Sequence, residues 1–190
     1  MKVVAFNGSP RRDGNTNALL EKALAALQKE GVKTELVHLS GAISGCIACR
    51  KCFENKNRKC AIDKDMINEC IDKMAEADGI ILGSPTHFAD LTPALKALID
   101  RAGFVGLANG GMFKRKAGAA VVAVRRAGAI HVFDSINHFF LISQMIIPGS
   151  SYWNIGMGLD ERDVENDAEG LKTMKVLGEN MAWLLKKINE

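Results

Sequence analysis

The chain has 190 residues, 25 Lys and Arg against 22 Asp and Glu, a formal net charge of +3, 47% hydrophobic residues and five cysteines. At this length one domain is expected, burying roughly two-thirds of the unfolded chain's surface, and ordinary globular composition excludes a disordered or fibrous protein. So small a charge, with no Lys/Arg block among aromatics, gives no footing for nucleic acid, and no apolar run approaches the ~20 residues of a membrane span.

Lys2–Asn7 (KVVAFN) reads as a strand leading into a glycine-containing turn. Its apolar stretch is too short for a secretory leader and no small-residue cleavage site follows, so a cytoplasmic location is expected. Thr16–Glu30 reads as a helix, with Leu19, Leu20, Ala23, Leu24 and Leu27 on one face and Gly31 as its stop. Lys33–Leu39 is a second strand and Gly41–Ile62 an irregular cysteine-rich insertion. Lys64–Ala77 is helical, and Cys70, in phase with Ile67, Ile71 and Met74, reads as core. Gly79–Gly83 is a third strand, wholly apolar as a strand covered on both faces must be.

Thr92 caps a helix that has Pro93 at its first position and runs to about Arg101. Gly103–Met112 reads as a mobile glycine-rich loop and Ala117–Val124 as the fourth strand. Val132–Met145 is a helix, Ile146–Ser150 a short fifth strand, Ser151–Asp160 a turn region, and Glu165–Ile188 contains a long helix. No repeat or linker divides residues 1–190. Strand–helix alternation with apolar strands predicts an α/β fold, a parallel sheet with helices on both faces. Two doubly wound strand orders satisfy this, and in both a ligand sits at the carboxyl ends of the strands where their order reverses.

After the first strand the sequence is Gly8-Ser9-Pro10-Arg11-Arg12-Asp13-Gly14-Asn15-Thr16-Asn17. Backbone N–H groups and the dipole at the start of a helix favour an anion. Ser9, Thr16 and Asn17 offer neutral hydrogen bonds to phosphate oxygens, and Arg11 adds a charge-assisted one. The run matches neither GxGxxG nor GxxxxGK[ST], so a dinucleotide fold and a P-loop are disfavoured. Its donors suit a terminal monophosphate.

The GSPRRDGNT loop, the GSPTHF turn after the third strand and the LKALIDR helix together resemble the NADPH-dependent FMN reductase group of flavodoxin-like proteins. With the cysteines added, the chain is most similar to the iron–sulfur flavoproteins of that group. The resemblance covers about Lys2 to Trp183. It implies a flavodoxin-like three-layer sandwich with a five-stranded parallel sheet in the order 2-1-3-4-5, FMN with its phosphate on Ser9, Arg11, Asn15, Thr16 and Asn17, and a homodimer or homotetramer.

Two further segments then bear on the flavin ring. Pro85 stiffens the turn after the third strand, and Thr86, His87 and Phe88 form the wall expected beside an isoalloxazine. His87 is a candidate proton donor near neutral pH. Phe88 reads as core more than as a ring contact. After the fourth strand, Arg125, Arg126, Ala127 and Gly128 combine cations with small residues that let backbone approach a planar ligand. A positive group at the ring's N1/O2 edge stabilises the reduced, anionic flavin and raises its potential. No protein nucleophile is expected, since the flavin carries the chemistry.

Cys46, Cys49, Cys52 and Cys60 form a C-x2-C-x2-C-x7-C run. The first three have the compact spacing that wraps three corners of a [4Fe–4S] cube, with the fourth ligand arriving from farther along. Arg50, Lys51, Lys56, Arg58 and Lys59 against Glu54 suit an anionic centre. Structural zinc on four thiolates and free or redox-active thiols remain competing readings. The aromatic stretch from Asn137 to Phe140 and from Pro148 to Trp153 reads as a subunit interface or a lid over the flavin.

The expected function is FMN-dependent electron transfer from NAD(P)H or ferredoxin to a flavin, quinone or other small acceptor, by way of the cluster if one is held. A flavodoxin-type carrier is the alternative, opposed by a pI near 8.6, and a thiol redox sensor is a weaker one.

Overall fold

The computed structural model describes residues 1–189. Five parallel strands, β1 (Lys2–Asn7), β2 (Lys33–His38), β3 (Gly79–Pro85), β4 (Ala117–Val124) and β5 (Ile155–Met157), form one sheet in the order 2-1-3-4-5. This is the flavodoxin-like arrangement. Side chains alternate across it with period two, as strand geometry requires. Val3, Ala5, Ile81, Ala119 and Val121 pack on one side under α1 (Asn15–Lys29) and α6 (Ala168–Ile188). Val4, Phe6, Ile80, Leu82, Ala120 and Val122 pack on the other under α3 (Ile67–Glu76), α4 (Pro93–Ala108) and α5 (Ala129–Ile142). Because both faces are covered, every residue of β4 is buried. A short helix α2 (Lys51–Asn55) interrupts the cysteine-rich segment, and a 3₁₀ turn, Asp163–Asn166, precedes α6. No helix among the described residues is long and apolar enough to cross a membrane.

Cys70 is fully buried in α3, as its helical phase predicts. Thr92 caps α4 as expected, its hydroxyl accepting from the Leu95 N–H at 3.4 Å and donating to the Gly8 carbonyl at 2.7 Å. That second bond fixes the exit of β1.

Two expectations are corrected. The fifth strand is not Ile146–Ser150: Ile146 makes only an isolated parallel bridge to Ala117, and the strand is Ile155–Met157. Gly156 explains the choice, since a Cβ there would stand 2.6 Å from Leu19 and Val164 side chains, so only glycine brings this strand so close to α1. Nor is Gly103–Met112 a loop throughout. Helix α4 continues through Gly103 and Gly106 to Ala108, and Gly106 gives the Phe113 ring its seat, with Phe113 atoms 2.9 Å from where a Cβ would be.

Candidate functional site

The carboxyl ends of β1, β3 and β4 border a cavity of about 300 Å³. Ser9, Arg11, Asn15, Thr16, Pro85, Thr86, His87 and Arg125, all named from the sequence as candidates around FMN, share its lining. Pro10, Gly158 and Leu159 line it as well, and sequence reasoning placed these last two in an uninformative turn.

Five expected residues lie off this cavity. Asn17 turns inward, its Nδ2 donating to Glu21 Oε1 at 2.7 Å while its Oδ1 accepts from Asn7 Nδ2 at 3.4 Å. Arg126, Ala127 and Gly128 are missing from the lining; Gly128, at φ 87°, backs onto Ala89 instead. Phe88 is fully exposed, contrary to its reading as core. The reason is a tight hairpin. The His87 N–H donates to the Asp90 carbonyl at 2.9 Å and the Asp90 N–H to the His87 carbonyl at 3.0 Å, leaving Phe88 and Ala89 as the two tip residues at φ 49° and 62°. Positive φ at both tip positions marks a type I′ turn, ordinarily an Asn-Gly site. Placing two Cβ-bearing residues there costs on the order of 1–2 kcal/mol each. Thr86 anchors the base of this hairpin to β4, its N–H donating to the Ala123 carbonyl at 2.9 Å and its hydroxyl at 3.2 Å.

At the other pole of the cavity, helix α1 begins without a side-chain cap and with no acidic residue in its first turn. Its leading N–H groups and positive dipole end therefore face the cavity uncompensated. Thr16 sharpens the point. Its hydroxyl is buried and has no hydrogen-bond partner among the described residues, although an orphaned buried hydroxyl costs about 1–3 kcal/mol. Ser9 Oγ accepts from the Arg11 N–H at 3.1 Å, which leaves its own proton to donate. Asn15 is committed elsewhere, its Nδ2 to the Asp160 carbonyl at 2.9 Å and its Oδ1 to the Val164 N–H at 3.0 Å. These are neutral donors, one guanidinium and a helix start around an unfilled hydrogen-bonding need, and a monophosphate fits them.

The four clustered cysteines share a second cavity, of about 280 Å³, with Phe53, Phe104 and Arg101. Ala48 and Arg50, between the cysteines, hold positive φ of 53° and 58°. Among the described residues, the N–H groups from Gly45 to Arg50 find no protein acceptor. Successive free N–H groups around left-handed residues form an anion-binding concavity of the kind found at iron–sulfur sites. Burial pushes the Cys52 thiol up, outweighing the N–H groups of Cys52 and Phe53 that favour its thiolate. Among the described residues, no group of three or more His, Cys, Asp or Glu side chains is gathered to hold one metal ion.

Sequence reasoning missed Arg101 as a site residue. It is 1% exposed, and its Nε donates to Cys60 Sγ at 3.3 Å. The aromatic stretch expected as interface or lid borders a separate groove of about 420 Å³, with Phe133, Asn137, Tyr152 and Trp153 on its walls, and none of these residues lines the first cavity.

Known proteins resemble this chain. The family model described as NADPH-dependent FMN reductase matches residues 1–160. An iron–sulfur flavoprotein of Methanocaldococcus jannaschii is 39% identical, with all of both chains covered. An iron–sulfur flavoprotein of Methanosarcina thermophila is 31% identical over 100% of this chain and 98% of its own. Among solved structures, an NAD(P)H:quinone oxidoreductase from Methanothermobacter marburgensis superposes with a TM-score of 0.69 at 14% identity, covering 95% of this chain and 96% of that one.

Proposed function

The chain belongs to the NADPH-dependent FMN reductase family, and from that premise we propose that it is an FMN-dependent oxidoreductase passing electrons from NAD(P)H or ferredoxin to a flavin, quinone or other small acceptor. One observation carries the flavin assignment: the unpartnered Thr16 hydroxyl, buried beside the uncapped start of α1 in a cavity shared with Ser9, Arg11 and Arg125. Bound FMN supplies the redox chemistry, as hydride or as single electrons. The chain's residues do the rest. Thr16, Ser9 and the first N–H groups of α1 bind the phosphate, with Arg11 adding charge. Pro85, Thr86 and His87 would orient the ring, Gly158 and Leu159 would help exclude water from it, and Arg125 would supply a cation beside it. His87 lines the same cavity, and its imidazole would hand a proton to a bound acceptor.

We further propose that Cys46, Cys49, Cys52 and Cys60 hold a [4Fe–4S] cluster. Thiols around a 280 Å³ cavity but not gathered on one point suit a cube better than a single zinc, whose four sulfurs at ~2.3 Å from the metal must crowd together. The names of the relatives in M. jannaschii and M. thermophila agree with this reading. Residues 1–190 then act as one flavin-binding domain with the cysteine segment inserted, in a homodimer or homotetramer.

The test is titration of flavin-free protein with FMN and with riboflavin. FMN should bind on the order of 100-fold more tightly, as two charge-assisted hydrogen bonds predict. Equal affinities would remove the phosphate site and the assignment with it. Steady-state NAD(P)H oxidation with a quinone separates the enzyme from a flavodoxin-type carrier, for which turnover is negligible.

A further inference from the structure

We propose that Arg101 is the positioning residue of the cysteine cradle: from α4 its guanidinium clamps both ends of the segment and hydrogen-bonds the Cys60 ligand, preforming the frame and helping to set the cluster's reduction potential. The proposal rests on the cluster reading above.

Arg101 uses four of its five N–H donors. Nη1 donates to the Ser44 carbonyl at 3.0 Å and to Asp65 Oδ2 at 2.5 Å, Nη2 to the Ile62 carbonyl at 2.7 Å, and Nε to Cys60 Sγ at 3.3 Å. Ser44 lies two residues before Cys46 and Ile62 two after Cys60, so one side chain joins the entry and the exit of the segment. Asp65 completes the grip, its Oδ2 accepting from the Ser44 N–H at 3.1 Å. Ser44 is thus held through both its N–H and its carbonyl. Asn68 does the same for Cys60, accepting from its N–H at 2.8 Å and donating to its carbonyl at 3.0 Å. Between these two fixed ends, residues 45–49 make no such tie among the described residues, and Arg50 is hydrogen-bonded only at its carbonyl, which accepts from the Phe53 N–H at 2.9 Å.

The distribution has a chemical meaning. Asp65 already neutralises the Arg101 charge, both side chains being buried, with the guanidinium 0% and the carboxylate 4% exposed. A buried pair of this kind adds little net stability over an apolar substitute. What it adds is direction, because a planar fork addresses four acceptors that a lysine ammonium cannot reach together. An N–H donated to a ligating sulfur draws electron density from it and raises the potential of the centre.

Arg101→Lys keeps the charge and loses the fork. In the full chain, purified without oxygen and reconstituted with iron and sulfide, the variant should take up at most half the iron and sulfide per FMN of the native protein. The midpoint potential of its residual cluster should fall in an EPR-monitored titration. In metal-free protein, the Ser44 and Cys60 amides should exchange at least ~10-fold faster, since they exchange through a local opening that the clamp opposes. Unchanged iron uptake, potential and exchange overturn the proposal. If Arg101→Lys fails to bind FMN, Asp65→Asn takes its place: faster Ser44 exchange and lower iron uptake support the clamp, and native values overturn it. A native chain that takes up neither iron nor sulfide overturns the cluster reading itself, and amide exchange still judges the clamp.

Discussion

Asn15 and Val164 are joined across the molecule: the Asn15 Oδ1, at the start of α1, accepts from the Val164 N–H at 3.0 Å, while its Nδ2 donates to the Asp160 carbonyl. The amide expected to touch phosphate also holds the segment carrying Gly158 and Leu159 against the cavity. Asn15→Ala should cost about 1–1.5 kcal/mol, lowering the Tm of flavin-free protein by roughly 3 °C and weakening FMN several-fold. A melting curve and an FMN titration check both, and an unchanged Tm would return Asn15 to the phosphate.

Thr16→Val should separate folding from binding. The hydroxyl has no partner without ligand, so its removal leaves flavin-free protein equally stable or more so, by up to about 1 kcal/mol. FMN affinity should drop about 10–100-fold, as expected for a lost hydrogen bond to a charged group. Loss of stability with affinity intact would make Thr16 merely structural.

Two neighbouring arginines make opposite predictions. Arg125 lines the cavity proposed to hold FMN and Arg126 does not. Arg125→Ala should lower the FMN midpoint potential by on the order of 20–30 mV, which is what ~1 kcal/mol of charge interaction amounts to for two electrons. Arg126→Ala should leave it unchanged. Equal shifts in both variants would show a diffuse field and no specific contact.

Glu35 gives the fold an acid limb. Hydrogen bonds from Lys2 and Lys73 hold its carboxyl below the usual glutamate range, against a smaller opposing effect of burial. Lys2 Nζ stands 2.8 Å from it and Lys73 Nζ 2.6 Å, tying β1, β2 and α3 together. Because the folded value is depressed, this contribution is complete above about pH 4.3 and drains away as pH falls through the folded value. The Tm difference between native protein and Glu35→Gln should be small, as for other half-exposed pairs, constant from pH 5 to 7, and close below pH 4.

The strand–helix alternation and the donor-rich loop after β1 were legible because they are written in local patterns: apolar runs between glycines, and donors placed at a helix start. The strand order was not, since two doubly wound orders satisfied the pattern and the family resemblance chose between them. Nor were residues whose roles depend on distant packing. Ile146–Ser150 is the more strand-like run, yet Ile155–Met157 pairs with β4, since Gly156 alone fits against Leu19 and Val164. Gly103 and Gly106 read as loop formers until Phe139 and Phe113 are seen to pack on them. Phe88 carries an apolar signal that a two-residue hairpin overrides. Arg101 looked like an ordinary charged residue near a helix end. Only the fold brings Ser44, Cys60, Ile62 and Asp65 around it.

Cys70 has a practical consequence. Its thiol, sealed inside α3, is pushed up to about 12 chiefly by burial, so alkylating reagents that attack thiolates pass it by in the native state. The other four cysteines are exposed or half-buried, so they are open to the reagent when bare and, on the proposal that they ligate a cluster, shielded once it is bound. Counting modified sites by intact mass therefore reports occupancy of the cradle on a scale of nought to four, and a fifth adduct signals that the protein has come undone.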